Sequence, residues 1–169
     1  MKILVTGAAG LLGSHVAELA LERGDDVRVM VRPGEDVSWL AEAGAEICWG
    51  DMIDAASLQA AVRQMECVVN CAARMTPWGP EVEYQQVNVR GPKLLAEAAI
   101  VAGVQRIIHI SSVDVHGLVV GNGIDETAPY GTEQDPYCRS KIAGERVLQQ
   151  LILDKVKWTH VSTHSDRQF

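Results

Sequence analysis

The sequence predicts an α/β domain built on a doubly wound parallel sheet of about six strands, and three observations carry that expectation. Short β-branched runs alternate with longer segments of helical periodicity, the pattern of successive βαβ units. A glycine cluster stands directly between the first such run and the first helix. The chain has 169 residues, 47% hydrophobic and 22% charged, which suits one domain with a full core and leaves little room for a second.

Strands are expected at residues 2–6, 27–31, 46–49, 67–71, 106–110 and 156–161, each short and rich in Val, Ile or Cys. Between them, apolar residues recur near the helical period. Leu12, Val16, Leu19 and Ala20 form one face, Leu94, Leu95, Ala98 and Ala102 a second, and Ala143, Val147, Leu148 and Leu151 a third. A shorter helix follows Asp54 and closes near Val62 and Arg63. Residues 117–133, rich in glycine and turn formers, read as one long loop, and long loops in compact domains are often functional.

Strand one runs into Thr6-Gly7-Ala8-Ala9-Gly10-Leu11-Leu12-Gly13, and an amphipathic helix follows. That context makes the glycine triplet a dinucleotide fingerprint, the mark of a Rossmann fold. Gly7 permits a tight turn, Gly10 lets the backbone approach a pyrophosphate, and Gly13 lets helix pack on strand. Ala9, Leu11 and Leu12 supply the main chain around the anion, which faces the helix dipole.

The end of strand two bears on the choice of nicotinamide cofactor, because a carboxylate there accepts from the adenosine 2′-hydroxyl and repels a 2′-phosphate. Here the strand ends in Val31 and Arg32, and a guanidinium suits a phosphate, so NADP is favoured over NAD. The alternative is a solvated strand-end cation followed by the turn Pro33-Gly34. Asp51, next to Met52 after strand three, is placed either to accept from an adenine amino group or to cap the next helix.

A net charge of −7 argues against a nucleic-acid surface, which needs a basic stripe to neutralise phosphates. No apolar run approaches the roughly 18 residues of a membrane span and no leader layout is present, so a cytoplasmic address is expected. Cys48, Cys67, Cys71 and Cys138 lack metal-ligand spacing and read as reduced thiols in or near the core. No metal is expected.

In Asp135-Pro136-Tyr137-Cys138-Arg139-Ser140-Lys141, Asp135 and Pro136 read as N-cap and first helical position, which puts Tyr137 and Lys141 one turn apart on one face. With the glycine loop and Ser111-Ser112 after strand five, in that order, the chain resembles the extended short-chain dehydrogenase/reductase superfamily over residues 1–161. Cys71-Ala72-Ala73 is similar to the family's Asn-Ala-Ala segment beside the cofactor. Val87-Asn88-Val89-Arg90-Gly91 is similar to its Asn-Val-x-Gly-Thr stretch, with Pro92 in place of the threonine. The epimerase/dehydratase and 3β-hydroxysteroid dehydrogenase-like groups are the nearest in pattern.

The resemblance implies that Ser112 hydrogen-bonds the substrate oxygen, that Ser111 lies nearer the cofactor, and that Tyr137 is the general acid/base. It further implies that Lys141 holds the nicotinamide ribose and lowers the tyrosine pKa, with Asn88 a helper near the lysine. The physics permits this. Bringing a phenol from about pH 10 to neutrality needs about 4 kcal/mol, and one cation about 4 Å away supplies about that much at an effective dielectric near 20.

The implied activity is hydride transfer at a secondary alcohol or ketone of a small-molecule substrate, with Met75, Trp78, His116 and Tyr130 candidates for its mouth. Alternatives are a sugar-nucleotide epimerase or dehydratase, or a non-catalytic dinucleotide-binding module. The third is motivated by the C-terminus: the family's Arg-Pro segment and smaller substrate domain are expected to be absent, and residues 162–169 to form a disordered tail. Residues 84–102 and 136–153 are the helices through which such proteins dimerise. His109 reads as a core residue.

Overall fold

The chain forms a three-layer α/β structure in a computed structural model that describes residues 1–76, 78–117, 125, 127–132, 135–152 and 157–161, with Ile152 and 157–161 described through their main chain. Six strands, β1 (Lys2–Thr6), β2 (Asp26–Val31), β3 (Glu46–Trp49), β4 (Cys67–Asn70), β5 (Arg106–Ile110) and β6 (Lys157–Val161), pair in parallel in the order β3-β2-β1-β4-β5-β6. The winding reverses between β1 and β4, which opens the crevice where α/β sheets bind ligands.

Every central strand is apolar on both sides because both sides are covered. Leu4, Met30, Val68 and Ile107 point into one core with Leu58, Leu95 and Leu148. Ile3, Val5, Val29 and Val69 point into the other, with Ala17, Ala20 and Leu40. Leu4, Val5, Val29 and Val68 are fully enclosed, and each such side chain contributes about 1.5–3 kcal/mol through burial.

The helices are α1 (Leu11–Glu22), α2 (Ser38–Glu42), α3 (Ala55–Ala61), α4 (Glu81–Tyr84), α5 (Gly91–Val101) and α6 (Pro136–Ile152). α2 is absent from the sequence reading, being too short for a periodic signal. α4 and α5 are joined by a π-type turn, Gln85–Arg90, where the expected helix over 84–102 was continuous. Asp54 accepts from Ala56 N at 3.0 Å and caps α3. Asp135 accepts from Cys138 N at 2.8 Å and starts α6 as expected.

Two apolar faces differ from expectation. α1 lies on the sheet through Gly13, Ala17 and Ala20, while Leu12 and Leu19 are exposed. Small residues bring this helix close to β1, and the larger leucines are turned outward. α6 buries Cys138, Ser140, Lys141, Ile142, Glu145 and Leu148, a face that apolar counting misreads because three of these six are polar or charged. Gly144 sits beside them against the π turn, where a Cβ would meet Asn88 O at 2.3 Å. Most of the expected loop over 117–133, the expected tail 162–169, and Leu153 at the end of the expected dimer helix lie outside the described residues.

Candidate active site

The site is assembled at the C-terminal ends of β1, β4 and β5, where the parallel register brings three loops together. From β1 comes the glycine turn. Gly7 has φ +69 and a Cβ there would lie 2.8 Å from Ala72 Cα, while a Cβ on Gly13 would lie 2.3 Å from Gly7 O. Gly10 precedes α1, and no side chain caps that helix or places an acid in its first turn. Its leading amides are therefore left for an incoming acceptor. Ala9, Leu11 and Leu12 are exposed around this opening.

Beneath it a buried polar chain crosses the sheet. Ala72 N donates to Thr6 Oγ1 at 3.4 Å, Thr6 Oγ1 to Asn70 Oδ1 at 2.6 Å, and Asn70 Nδ2 to His109 Nδ1 at 2.9 Å. The direction of these bonds makes His109 Nδ1 an acceptor. His109 is thus a core residue, as expected, and it ties the ends of β1, β4 and β5 into one frame.

Asn88 is not turned toward the dinucleotide crevice. Its Oδ1 accepts from Arg74 N at 2.7 Å, and its Nδ2 donates to Arg74 O at 3.0 Å and to Ser140 Oγ at 2.8 Å. It grips the segment after Cys71-Ala72-Ala73 and fastens it to α6. Tyr84, donating to Thr76 O at 2.5 Å, holds the same segment further along. The π turn is what lets this asparagine reach both sides. Replacing Asn88 by alanine strands Arg74 N and O and is expected to cost about 2 kcal/mol, read as a lower midpoint in urea unfolding at unchanged m.

From β5 come the two serines, with different fates. Ser111 is buried and donates to Glu145 Oε1, so its hydroxyl faces the α6 interior. Ser112 caps the short 3-10 turn Val113–His116, accepting from Asp114 N at 3.3 Å and donating to Asp114 Oδ2 at 3.1 Å. His116 is buried and donates to Pro129 O at 3.3 Å, so it fastens its own loop.

Tyr137 is half-buried in the opening turn of α6. Burial raises its pKa, the neighbouring Ser112 hydroxyl pulls it down, and the charges of Asp114 and Asp135 raise it further. The expected lowering by Lys141 is not among the leading influences. Lys141 instead donates to Ile110 O at 2.6 Å. It is 2% exposed, and burial brings its pKa down to about 8, opposed first by the charge of Glu145 and then by Cys71. The Cys71 thiol is itself pushed up to about 12 by burial.

Glu145 is a buried charged residue beside the site that the sequence reading does not single out. It is 2% exposed, accepts from Ser111 and, at 2.9 Å, from Tyr130 OH, and lies one turn beyond Lys141. The spacing Lys141-x-x-x-Glu145 was visible, but at helical surfaces such a pair usually marks a solvated face. Tyr130, with its pKa raised to about 12 by burial and by Glu145, also has the Arg146 guanidinium 5.0 Å over its ring. Tyr130 therefore braces Glu145. Met75 and Trp78, by contrast, are exposed.

At the far edge of the crevice Asp51 Oδ1 accepts from Ile53 N at 3.1 Å, so it shapes a turn and leaves the capping of α3 to Asp54. The Met52 side chain is buried in the core against Gly91. Arg32 is bound to Glu35 at 2.7 Å.

The family model for the NAD dependent epimerase/dehydratase family matches residues 3–161. The chain belongs to that family. Among its relatives are sterol demethylase protein B of Methylococcus capsulatus, 32% identical over 96% of this chain and 49% of the relative, and 2-alkyl-3-oxoalkanoate reductase of Stenotrophomonas maltophilia, 35% identical over 88% and 46%. The UDP-glucose-4-epimerase of Stenotrophomonas maltophila, solved with bound NAD and formylated UDP-arabinopyranose, superposes with a TM-score of 0.87 at 25% identity, over 96% of this chain and 52% of that one. This epimerase/dehydratase chain thus spans about half the length of the relatives it matches. Among the described residues no helix is long and apolar enough to cross a membrane, and no cluster of acidic, His or Cys side chains could hold a metal.

Proposed function

We propose that the chain carries the dinucleotide half of an NAD(P)-dependent oxidoreductase acting on a secondary alcohol or ketone of a small molecule, with Tyr137 as the acid/base. The observation that carries this reading is the convergence of Ser112, Tyr137 and Lys141 at the end of β5, beside an uncapped glycine turn at the end of β1. The cradle suits a pyrophosphate, because the first turn of α1 has neither a side-chain cap nor an acid and its amides are open to an anion, while Gly13, where a Cβ would lie 2.3 Å from Gly7 O, keeps the turn tight.

A nicotinamide dinucleotide supplies the hydride acceptor or donor when bound. The chain's own groups do the rest. Gly7, Gly10 and Gly13, with the main chain of Ala9, Leu11 and Leu12, hold the pyrophosphate; Ala72 and Ala73 border it; Asp51 and the Met52 main chain flank the adenine side. Lys141 presents a buried ammonium to the ribose. Ser112 orients the substrate oxygen, and Tyr137 gives it a proton in reduction or takes one in oxidation. Ser111 and Asn88 act from behind, through Glu145 and through Arg74.

Arg32 supports NADP as the preferred form. The superposition on a UDP-glucose-4-epimerase favours a second reading, reversible oxidation of a sugar nucleotide with the same Ser, Tyr and Lys. Exposed Val82 and Val101 on α4 and α5 support dimerisation through these helices and α6.

Titration of the purified chain with NAD⁺ and NADP⁺ by calorimetry tests the reading. Binding of at least one, lost on introducing Gly13→Val, is expected. Absence of binding by both overturns it.

A further inference from the structure

The Arg32 guanidinium, which the sequence offers to a 2′-phosphate, is already engaged. Residues 32–35 fold into a turn in which Glu35 N donates to Arg32 O at 3.1 Å, with Pro33 second and Gly34, at φ +89, third, the arrangement of a type II turn. That turn folds the Glu35 side chain back over its own start. Glu35 Oε2 accepts from Arg32 N at 2.9 Å, and Glu35 Oε1 accepts from Arg32 Nε at 3.0 Å and from Arg32 Nη2 at 2.7 Å. One carboxylate thus fixes both the main chain and the side chain of the residue at the end of β2.

The surroundings add to it. β2 pairs with β1 on one side and β3 on the other, so Arg32 emerges between the glycine turn and Asp51. The charge of Asp51 also acts on the Arg32 guanidinium. One cation therefore faces two carboxylates at the place where the outer end of a dinucleotide, adenosine ribose included, leaves the crevice. A 2′-phosphate carries about two negative charges near neutral pH, so it would have to displace Glu35 from the guanidinium and then lie beside it. A 2′-hydroxyl meets neither cost, and a carboxylate is the acceptor it prefers.

We infer that Glu35 is a specificity residue: by occupying Arg32 it competes internally with the 2′-phosphate of NADP, and so holds the chain's preference between NADP and NAD much closer to parity than Arg32 alone would set it. The inference rests on the dinucleotide reading above and concerns the ribose end of the same site. It also gives Arg32 a double use, as a partner for Glu35 when NAD is bound and for phosphate when NADP is bound. The pair is open to solvent, with the arginine side chain 68% and the glutamate 26% exposed, so exchanging one anion for another requires no unfolding of the turn.

The test is calorimetric titration of NAD⁺ and NADP⁺ into the parent chain and into Glu35→Gln, Arg32→Ala and the double variant, at low and at high salt. Glutamine keeps an acceptor for Arg32 N, so the turn survives, which an unchanged melting temperature verifies. Glu35→Gln is expected to tighten NADP⁺ by about fivefold, the scale of an exposed ion pair, and to change NAD⁺ by less than about twofold. The gain shrinks at high salt and vanishes in the Arg32→Ala background. An unchanged NADP⁺ to NAD⁺ ratio in Glu35→Gln, or a gain that persists without Arg32, overturns the role of Glu35 while leaving the dinucleotide site standing. Failure of the parent chain to bind either dinucleotide overturns the site and this role together.

Discussion

Tyr137→Phe is expected to lower turnover by about 10²- to 10⁴-fold, the range for loss of a positioned proton donor, while dinucleotide affinity stays within about twofold of the parent value. The reason lies in what the hydroxyl touches. Ser112 is bonded to Asp114 with or without the phenol, so removing the hydroxyl leaves no group newly stranded. The pH dependence follows from the same surroundings. Burial raises the Tyr137 pKa, so the phenol is protonated across neutral pH and stands ready to give its proton to a carbonyl undergoing reduction. A rate of reduction that is level below pH 7 and falls on the alkaline side is expected. An inflection near pH 8 in that profile belongs to Lys141, and Lys141→Met should abolish it. Coupled assays on the chain with a panel of ketones, each run with Tyr137→Phe beside it, measure both effects. A Tyr137→Phe variant as fast as the parent would remove the tyrosine from the chemistry.

Much of this architecture was legible in the residues themselves. The glycine loop, the β-branched runs and the Asp135-Pro136 start of α6 are local signals, fixed by sterics and by backbone amides that need acceptors, and each stands where it was expected. What the pattern concealed is tertiary. A strand-end arginine looks free until a type II turn folds Glu35 onto it. A carboxylate four residues past a lysine looks solvated until the helix is seen to turn that face inward. Asn88 reads only as a helper near the lysine until a π turn is seen to aim it at Arg74 and Ser140. At Tyr137 burial is the leading influence on the phenol, and the Lys141 ammonium bonds to the end of β5. In each case the fold gives a polar group a partner that local pattern does not reveal.

Glu145→Gln is expected to destabilise the chain by about 3 kcal/mol near neutral pH and by less in alkali. Two effects add. The carboxylate accepts from two hydroxyls, Ser111 and Tyr130, whereas an amide has one oxygen and presents donors beside them, which costs about 1–3 kcal/mol. The second effect is carried by Lys141. Its pKa is about 8 in the folded chain against an ordinary 10.5, so between those values the unfolded chain holds a proton that the folded chain lacks. The lysine's contribution is therefore most favourable above about pH 10.5 and is lost as pH falls to about 8, by roughly 3 kcal/mol in total, and is level below. Glu145 is the largest influence opposing that depression. Without its charge the folded pKa moves below 8, the loss continues further into the neutral range, and the variant falls progressively behind the parent as pH drops. Urea unfolding of both proteins at about pH 6.5 and about pH 9.5 separates the two effects, since the hydrogen-bond cost is the same at both while the lysine contribution is not. The same shift lowers the share of Lys141 that is charged near neutral pH, so dinucleotide affinity in the variant should rise on acidification. A stability difference independent of pH would confine Glu145 to bracing Ser111 and Tyr130 and would remove it from the control of the lysine.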